Sequence, residues 1–258
     1  MIVDPNGLAR RMLADFDART PGRMFAEPLE LTAIDAYALQ AEIAGLREQR
    51  GEPVIGYKVG CTSAAMQRQL GVGEPIFARV FGTGCFPSGV ELSHRGFANL
   101  AVEAELAVRL DRDVTAQLAG RHELESAIES VFPVVELHHY VLSGARPSLA
   151  ELVAGGGMHA GFVLPDPEIS APPLADIESL SLWIDGRRMG AAGGADLSST
   201  VFQSLSWLAR KLAEACLTLA RGQIVLTGSL LNLYPVGPGS TVVAAAAPAG
   251  RSSASVGP

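Results

Sequence analysis

Apolar and polar positions follow two different periods along this chain, and the change falls near Pro53. Upstream, Leu8, Met12, Leu13 and Phe16 recur at helical spacing over residues 6 to 18. A second helix is predicted from Thr32 to about Arg50, because Thr32 with Asp35 three residues on forms a capping-box-like start. Its narrow face carries Ile34, Tyr37, Ala38, Ala41 and Gly45, widened by Leu39, Ile43 and Leu46. Both helices read as packing elements.

Downstream the pattern shortens to β-like runs broken by Gly and Pro. VIGYKVG (54–60), GVEL (89–92), VEAELAVRL (102–110), VFPVVELHH (131–139), GFVLP (161–165), LSLWIDG (180–186) and QIVLTGS (223–229) read as strands or strand ends. Two helices interrupt them. SAAMQRQLG (63–71) is short and ends at Gly71; the other, from about Ser199 to Cys216, aligns Phe202, Leu205, Leu208, Leu212 and Cys216. Many short strands, few helices, no βα alternation and no Gly-rich dinucleotide turn predict an α+β fold rather than a doubly wound sheet. The expected organisation is a helical N-terminal region (1–52), a strand-rich domain (53–245) and a tail (246–258). Small, polar residues make a frayed end the first reading of that tail, with an edge strand around Ser253 to Val256 as the alternative.

With 258 residues, 48% of them hydrophobic, the chain can bury a sizeable core without needing a metal to hold it folded. A formal charge of −7 argues against nucleic acid or an anionic membrane as partner, since both demand a clustered positive field. Neither a signal-peptide core nor an uninterrupted apolar run of membrane-spanning length is visible, so a soluble, cytoplasmic protein is expected. Cys61, Cys85 and Cys216 are few, odd in number and widely spaced, as reduced thiols would be.

Chemistry concentrates in three segments. On a strand, Glu103 and Glu105 project from one face with Cα atoms about 6.5 to 7 Å apart, close enough for both carboxylates to converge on one cation. An ordinary amphipathic strand with a wet polar face is the alternative. Glu136 sits in a run so apolar that its strand is expected to be buried on both faces, where an ionised carboxylate needs a counter-charge. Lys58, embedded between apolar and glycine residues, is one candidate for that cation, which would make a structural Lys58–Glu136 ion pair. A metal is the other. Three carboxylates without cysteine form a hard oxygen site suited to Mg²⁺ or Mn²⁺; His138, on the face of Glu136 by period two, keeps a histidine-containing site for iron or zinc open. His94, His122 and His139 read as surface or outer residues.

The stretches IGYKVGCTSAAMQRQLGVGEPIF, FANLAVEAELAVRL, VFPVVELHHYV and GQIVLTGSLLNLYPVGPG, with AIDAYALQ before them, resemble the 2-keto-4-pentenoate hydratase and 4-oxalocrotonate decarboxylase branch of the fumarylacetoacetate hydrolase superfamily. The similarity runs from about residue 30 to 245. Its most specific element is a Glu-x-Glu pair, a third Glu thirty-one residues later, and a GYK-type lysine upstream. The resemblance implies a mixed β-roll or barrel with a helical N-terminal region, Mg²⁺ or Mn²⁺ held by Glu103, Glu105 and Glu136, and Lys58 facing substrate. It also implies that Thr227, Gly228 and Ser229 line the substrate pocket, that the chain forms a homo-oligomer, and that the substrate is a small 2-oxo acid.

Three departures stand out. Ile76 occupies a segment where family members often carry an acid. Gly155 and Gly156 replace an Asp-Asn pair, and TVFQSL replaces an Asn-bearing turn. His159, close to the glycine pair, is a candidate for the missing proton-transfer group. The leading expectation is a metal-dependent hydratase acting on a short unsaturated 2-oxo acid such as 2-oxopent-4-enoate. A decarboxylase or C–C hydrolase on the same site, and a non-catalytic subunit bracing a companion pathway enzyme, are the alternatives.

Overall fold

A computed structural model describes residues 5–19, 31–70, 72–118, 120–141, 147–166 and 173–258. Gly71, expected to end the short helix, lies outside them, as do the first four residues. The chain opens with α1 (Pro5–Ala18), α2 (Ala33–Gln49), β1 (Val54–Gly60), α3 (Ala64–Leu70), β2 (Ile76–Phe81), β3 (Cys85–Phe86) and β4 (Val90–Ser93). Next come β5 (Ala101–Leu110), α4 (Arg121–Ala127), β6 (Ile128–His138), α5 (Leu149–Ala154) and β7 (His159–Val163). It closes with β8 (Ser179–Ile184), β9 (Arg187–Gly193), α6 (Gly194–Glu214), β10 (Ile224–Leu226), β11 (Tyr234–Pro235), β12 (Thr241–Ala247) and β13 (Gly250–Gly257).

The strands form two mixed sheets. The larger runs β2-β1-β10-β5-β6-β7-β3, with β11 also on β5; the smaller runs β4-β13-β12-β8-β9. β1–β10, β3–β7 and β4–β13 are parallel pairs and the others antiparallel. Against the expected roll or barrel, the larger sheet does not close by hydrogen bonding. Its two end strands, β2 and β3, are instead joined by the short turn Gly82–Gly84, so the sheet curls until its edges are consecutive in the chain.

Period-two alternation divides the larger sheet into two apolar faces. Val102, Ala104, Leu106 and Val108 of β5 and Val131, Val135 and Leu137 of β6 pack with the smaller sheet and with Leu205, Leu208 and Leu212 of α6. The opposite face carries Val80, Ala107, Phe132, Val134, Phe162, Ile224 and Leu226. Both faces of β5 and β6 are therefore covered, as an almost uninterrupted apolar run in β6 requires.

Two expectations are corrected. Residues 250–257 are not frayed or an edge: β13 is paired on one side with β12 and on the other with β4. Small residues suit this place because Ser252 is fully buried, its hydroxyl donating to the Val163 carbonyl and accepting from the Val135 amide. In α2 the buried stripe is Ala36, Leu39, Gln40 and Ala44, while Ile34 is 81% exposed. Apolar count misplaced the face because Gln40 is buried with its amide satisfied: Nε2 donates to the carbonyls of Phe77 and Val153, and Oε1 accepts from Arg79. The Thr32–Asp35 capping box at the start of α2 is formed.

Candidate functional site

Register across four strands brings the expected residues together. Lys58 of β1 lies opposite Leu226 of β10, which lies opposite Ala107 of β5, which lies opposite Phe132 of β6. Residues directly opposite in a ladder share a face, and successive even steps along a strand keep it. Glu105 and Glu103 follow from Ala107; Glu136 and His138 follow from Phe132. Glu103 and Glu136 are themselves directly opposed.

At the centre, Lys58 Nζ and Glu136 Oε1 form an ion pair at 3.0 Å, with side chains 5% and 0% exposed. Lys58 Nζ also stands 3.4 Å from the Gly157 carbonyl as a donor. Gly157 has φ +61°, and a Cβ there would lie 3.1 Å from Lys58 Cε and 3.3 Å from Nζ. Glycine at this turn thus gives the backbone both its conformation and its close approach to the lysine. Glu136 Oε1 takes a second contact, 2.7 Å from His159 Nδ1 at the start of β7.

The glutamate-bearing face of β5 is mostly dry, against the alternative of a wet polar face. Glu105 is 1% exposed, and its Oε2 accepts from the Gly228 amide at 3.0 Å. Burial, reinforced by the neighbouring Glu136 charge, holds the Glu105 carboxyl well above the usual range. Burial also raises Glu103. Burial would raise Glu136 too, but Lys58 and His138 outweigh it and hold that carboxyl well below the usual range. Lys58 is depressed by burial and raised more strongly by Glu136, Glu105 and Glu103, so it stays charged. The site is one protonic unit in which Lys58⁺ and Glu136⁻ are the fixed charges.

Glu103, Glu136 and His138 each offer one ligand atom, all within 4.8 Å of one another. Glu105 is not part of that trio. Glu136 Oε2 and both ring nitrogens of His138 are buried without a hydrogen-bond partner among the described residues, as is His159 Nε2. An unpartnered carboxylate oxygen beside an unpartnered imidazole nitrogen fits a bound cation, which accepts both kinds of donor atom.

The pocket residues of the late segment are spent on the backbone. Thr227 Oγ1 donates to the Leu106 carbonyl at 2.8 Å, and Ser229 Oγ donates to the Ala104 carbonyl at 3.0 Å. Gly228 touches the site through its amide on Glu105. At φ +92°, with a built Cβ 2.5 Å from Thr62 Cγ2, only glycine fits there without strain. A cavity of about 70 Å³ beside His159 is lined by Phe16, Gln40, Arg47, Arg79 and Phe81 among others. Arg79 and Gln40 were missed as site neighbours. The signal was a lone arginine inside the apolar run IFARVF, the same kind of signal that singled out Lys58. All three cysteines are free thiols, and burial raises Cys61 and Cys85, which suits inert rather than nucleophilic sulfur. No helix among the described residues is long and apolar enough to cross a membrane.

A curled mixed sheet whose inner face gathers one lysine, three carboxylates and two imidazoles defines a protein that handles a small polar ligand or a cation inside the fold. The fumarylacetoacetate (FAA) hydrolase C-terminal family model matches residues 80–256, more than half of the chain, and the chain belongs to that family. It is 30% identical over 250 residues to a 2-keto-4-pentenoate hydratase of Burkholderia vietnamiensis (strain G4 / LMG 22486), covering 93% of this chain and 94% of the relative. Among solved structures it is similar to 4-oxalocrotonate decarboxylase from Pseudomonas putida G7 complexed with magnesium and adipate, with TM-score 0.87, 24% identity and coverage of 98% and 97% of the two chains. It is also similar to fumarylpyruvate hydrolase from Pseudomonas aeruginosa in complex with Mn²⁺ and pyruvate, with TM-score 0.60, 19% identity and coverage of 80% and 91%.

Proposed function

We propose that this protein is a divalent-metal-dependent lyase of the hydratase type, adding water to a short unsaturated 2-oxo acid such as 2-oxopent-4-enoate. The observation that carries the reading is the buried Lys58–Glu136 pair inside a set of further carboxylates on one strand face. A protein that bound neither a cation nor a substrate would bear the desolvation of these groups without return. The hydratase relative, similar over nearly the whole of both chains, supports the same reaction class.

In this reading Glu103, Glu105 and Glu136 hold Mg²⁺ or Mn²⁺. When bound, the ion supplies Lewis-acid polarisation to a 2-oxo acid and stabilises negative charge developing on it. The chain's own residues do the rest. Lys58, charged and almost fully buried, holds the substrate carboxylate in a dry setting where the attraction is strong. His159, anchored through Nδ1 on Glu136 and with Nε2 unpartnered among the described residues, passes a proton in this reading at the wall of the adjoining cavity. Burial lowers the His159 pKa despite Glu136, so it rests as the neutral base that such a step needs.

Decarboxylation is the second reading, favoured by one observation. Ile76, 2% exposed, lies against the same turn as Lys58, with its Cδ1 3.5 Å from a Cβ built on Gly157. The side chain near the lysine at that place is apolar, whereas hydration calls for a group that activates water. The test is incubation with enzymatically generated 2-hydroxypenta-2,4-dienoate and with 2-oxohex-3-enedioate, in Mg²⁺ or Mn²⁺ and then in EDTA, following ultraviolet absorbance and product mass. Gain of water, dependent on metal and abolished by Glu103→Ala and Glu136→Ala, is the expected result. Loss of CO₂ selects the second reading. No change in either substrate, with metal bound, rejects both.

A further inference from the structure

We infer that His138 is a direct ligand of the metal, completing a centre of two carboxylates and one imidazole with Glu103 and Glu136, and that this nitrogen shifts the site's preference from Mg²⁺ toward Mn²⁺, Fe²⁺ and Zn²⁺. The inference rests on the metal-dependent reading above and alters its ligand set, with His138 taking the place given there to Glu105, and with it the class of ion.

Four observations carry it. First, strand register puts the three side chains on one face: Glu103 faces Glu136, and His138, two residues on, faces the small Ala101, which leaves the ring room. Second, the atoms are already gathered. A divalent ion at about 2.0 to 2.2 Å from each ligand keeps its ligand atoms within roughly 4.4 Å of one another. The three groups have ligand atoms within 4.8 Å, so small side-chain rotations close the site.

Third, His138 is 5% exposed, yet neither ring nitrogen has a hydrogen-bond partner among the described residues. Nε2 stands 3.5 Å from Glu136 Oε2 and 3.9 Å from Glu103 Oε2, in geometry that forms no hydrogen bond. A histidine kept only for packing would find partners, as its neighbour does. His139 Nδ1 accepts from the Ala98 amide at 3.1 Å, and Nε2 pairs with the Phe16 carbonyl at 3.1 Å. Fourth, Glu105 Oε2 is already engaged by Gly228, so the place beside Glu103 and Glu136 is nearest to the imidazole. Nitrogen donors add little for a hard cation such as Mg²⁺ and much for the later divalent ions.

The test loads the full-length protein with Mn²⁺ and seeks the nitrogen couplings of a bound imidazole by electron spin-echo envelope modulation. Mg²⁺, Mn²⁺ and Zn²⁺ affinities are measured by calorimetry on the unaltered chain, His138→Gln, His159→Gln and Glu103→Gln. Couplings are expected in the unaltered chain and in His159→Gln but not in His138→Gln. Zn²⁺ affinity is expected to fall roughly tenfold or more in His138→Gln, since loss of a mere outer partner already costs about that much. Mg²⁺ affinity should change far less. Mn²⁺ that binds through Glu103 without nitrogen couplings overturns the inference and leaves the metal-dependent reading intact; absence of Mn²⁺ and Zn²⁺ binding overturns both. Couplings lost in His159→Gln instead would assign the nitrogen to His159 and also refute it. Should His138→Gln fail to fold, the spectra of the unaltered chain and His159→Gln still decide the matter.

Discussion

Replacing Lys58 with Met removes the one ion-pair partner that Glu136 Oε1 has among the described residues besides the His159 ring, while keeping nearly the same length of side chain in the strand. What remains is a carboxylate at 0% exposure with one hydrogen bond to His159 and the His138 ring 3.5 Å from Oε2, which makes no hydrogen bond among the described residues. Breaking a buried pair from one side costs about 3 to 5 kcal/mol, because the surviving charge stays desolvated. For a chain of this size that corresponds to a fall in melting temperature of roughly 6 to 20 °C.

The deficit also has a direction in pH. Without Lys58, burial is expected to outweigh the remaining pull of His138 and His159 and raise the Glu136 carboxyl above its unfolded value, so the folded state binds the extra proton. Stability is then lost as pH rises from the ordinary carboxylate range through that raised value. The unaltered protein has Glu136 held low and shows no such loss from this group. Calorimetric unfolding in EDTA at several pH values between 5 and 9 makes the comparison, with Lys58→Met/Glu136→Leu as the closing corner of the cycle. The double variant is expected to recover most of the loss, since an apolar pair of similar volume replaces an ion pair at little cost. A Lys58→Met protein within about 1 kcal/mol of the unaltered chain, or a deficit that does not grow with pH, would refute the argument that a lone buried charge sets the magnitude.

Two further outcomes follow from the N-terminal helices. Gln40→Leu strands the Phe77 and Val153 carbonyls and one Arg79 donor, so denaturant unfolding should show a loss of about 2 to 4 kcal/mol; an unchanged midpoint would mean that water replaces the amide. Thr32→Ala should cost about 1 kcal/mol by removing the cap of α2. Hydrogen bonds from the Thr32 side chain and backbone hold Asp35 below the usual range, so its contribution is present above the unfolded pKa and lost as pH falls through the lower folded value. That acid-side loss should shrink in Thr32→Ala, as thermal melts across pH would reveal.

Much of the strand framework was legible because it rests on local alternation. The run VIGYKVG is β1 at the same bounds, and the apolar texture of VFPVVELHH correctly placed Glu136 in a strand covered on both faces. The ion pair with Lys58 followed from elementary electrostatics, since each residue stood alone in an apolar run. Other elements carried signals that hydrophobic counting does not weigh. Helix α5 opens with a Ser148–Glu151 capping box, a pattern visible in the sequence but attached to only six residues. Strand β13 is mostly Ser, Ala and Gly, which resemble a loose end until the close approach of β12 and β4 gives small side chains a reason. The connection of the larger sheet's end strands through Gly82–Gly84 depends on which strands meet, and that is a matter of long-range register rather than of local pattern.

The two adjacent histidines show where that boundary lies. Alternation along β6 sends His138 toward Glu136's face and turns its neighbour away, so sequence alone separates the pair. It does not say which is satisfied. His139 is tied to the Ala98 amide and to Phe16 of α1, a contact 123 residues distant that no spacing rule predicts. His138 gains its neighbours from the β5–β6 register, where Glu103 meets Glu136, and gains no hydrogen bond from either. Buried polar rings are as a rule hydrogen-bonded, so the unpartnered ring nitrogens point to a ligand that completes them. On the proposed reading the carboxylates around it belong to the same coordination shell, and Lys58, paired with Glu136, faces the substrate at the edge of that shell.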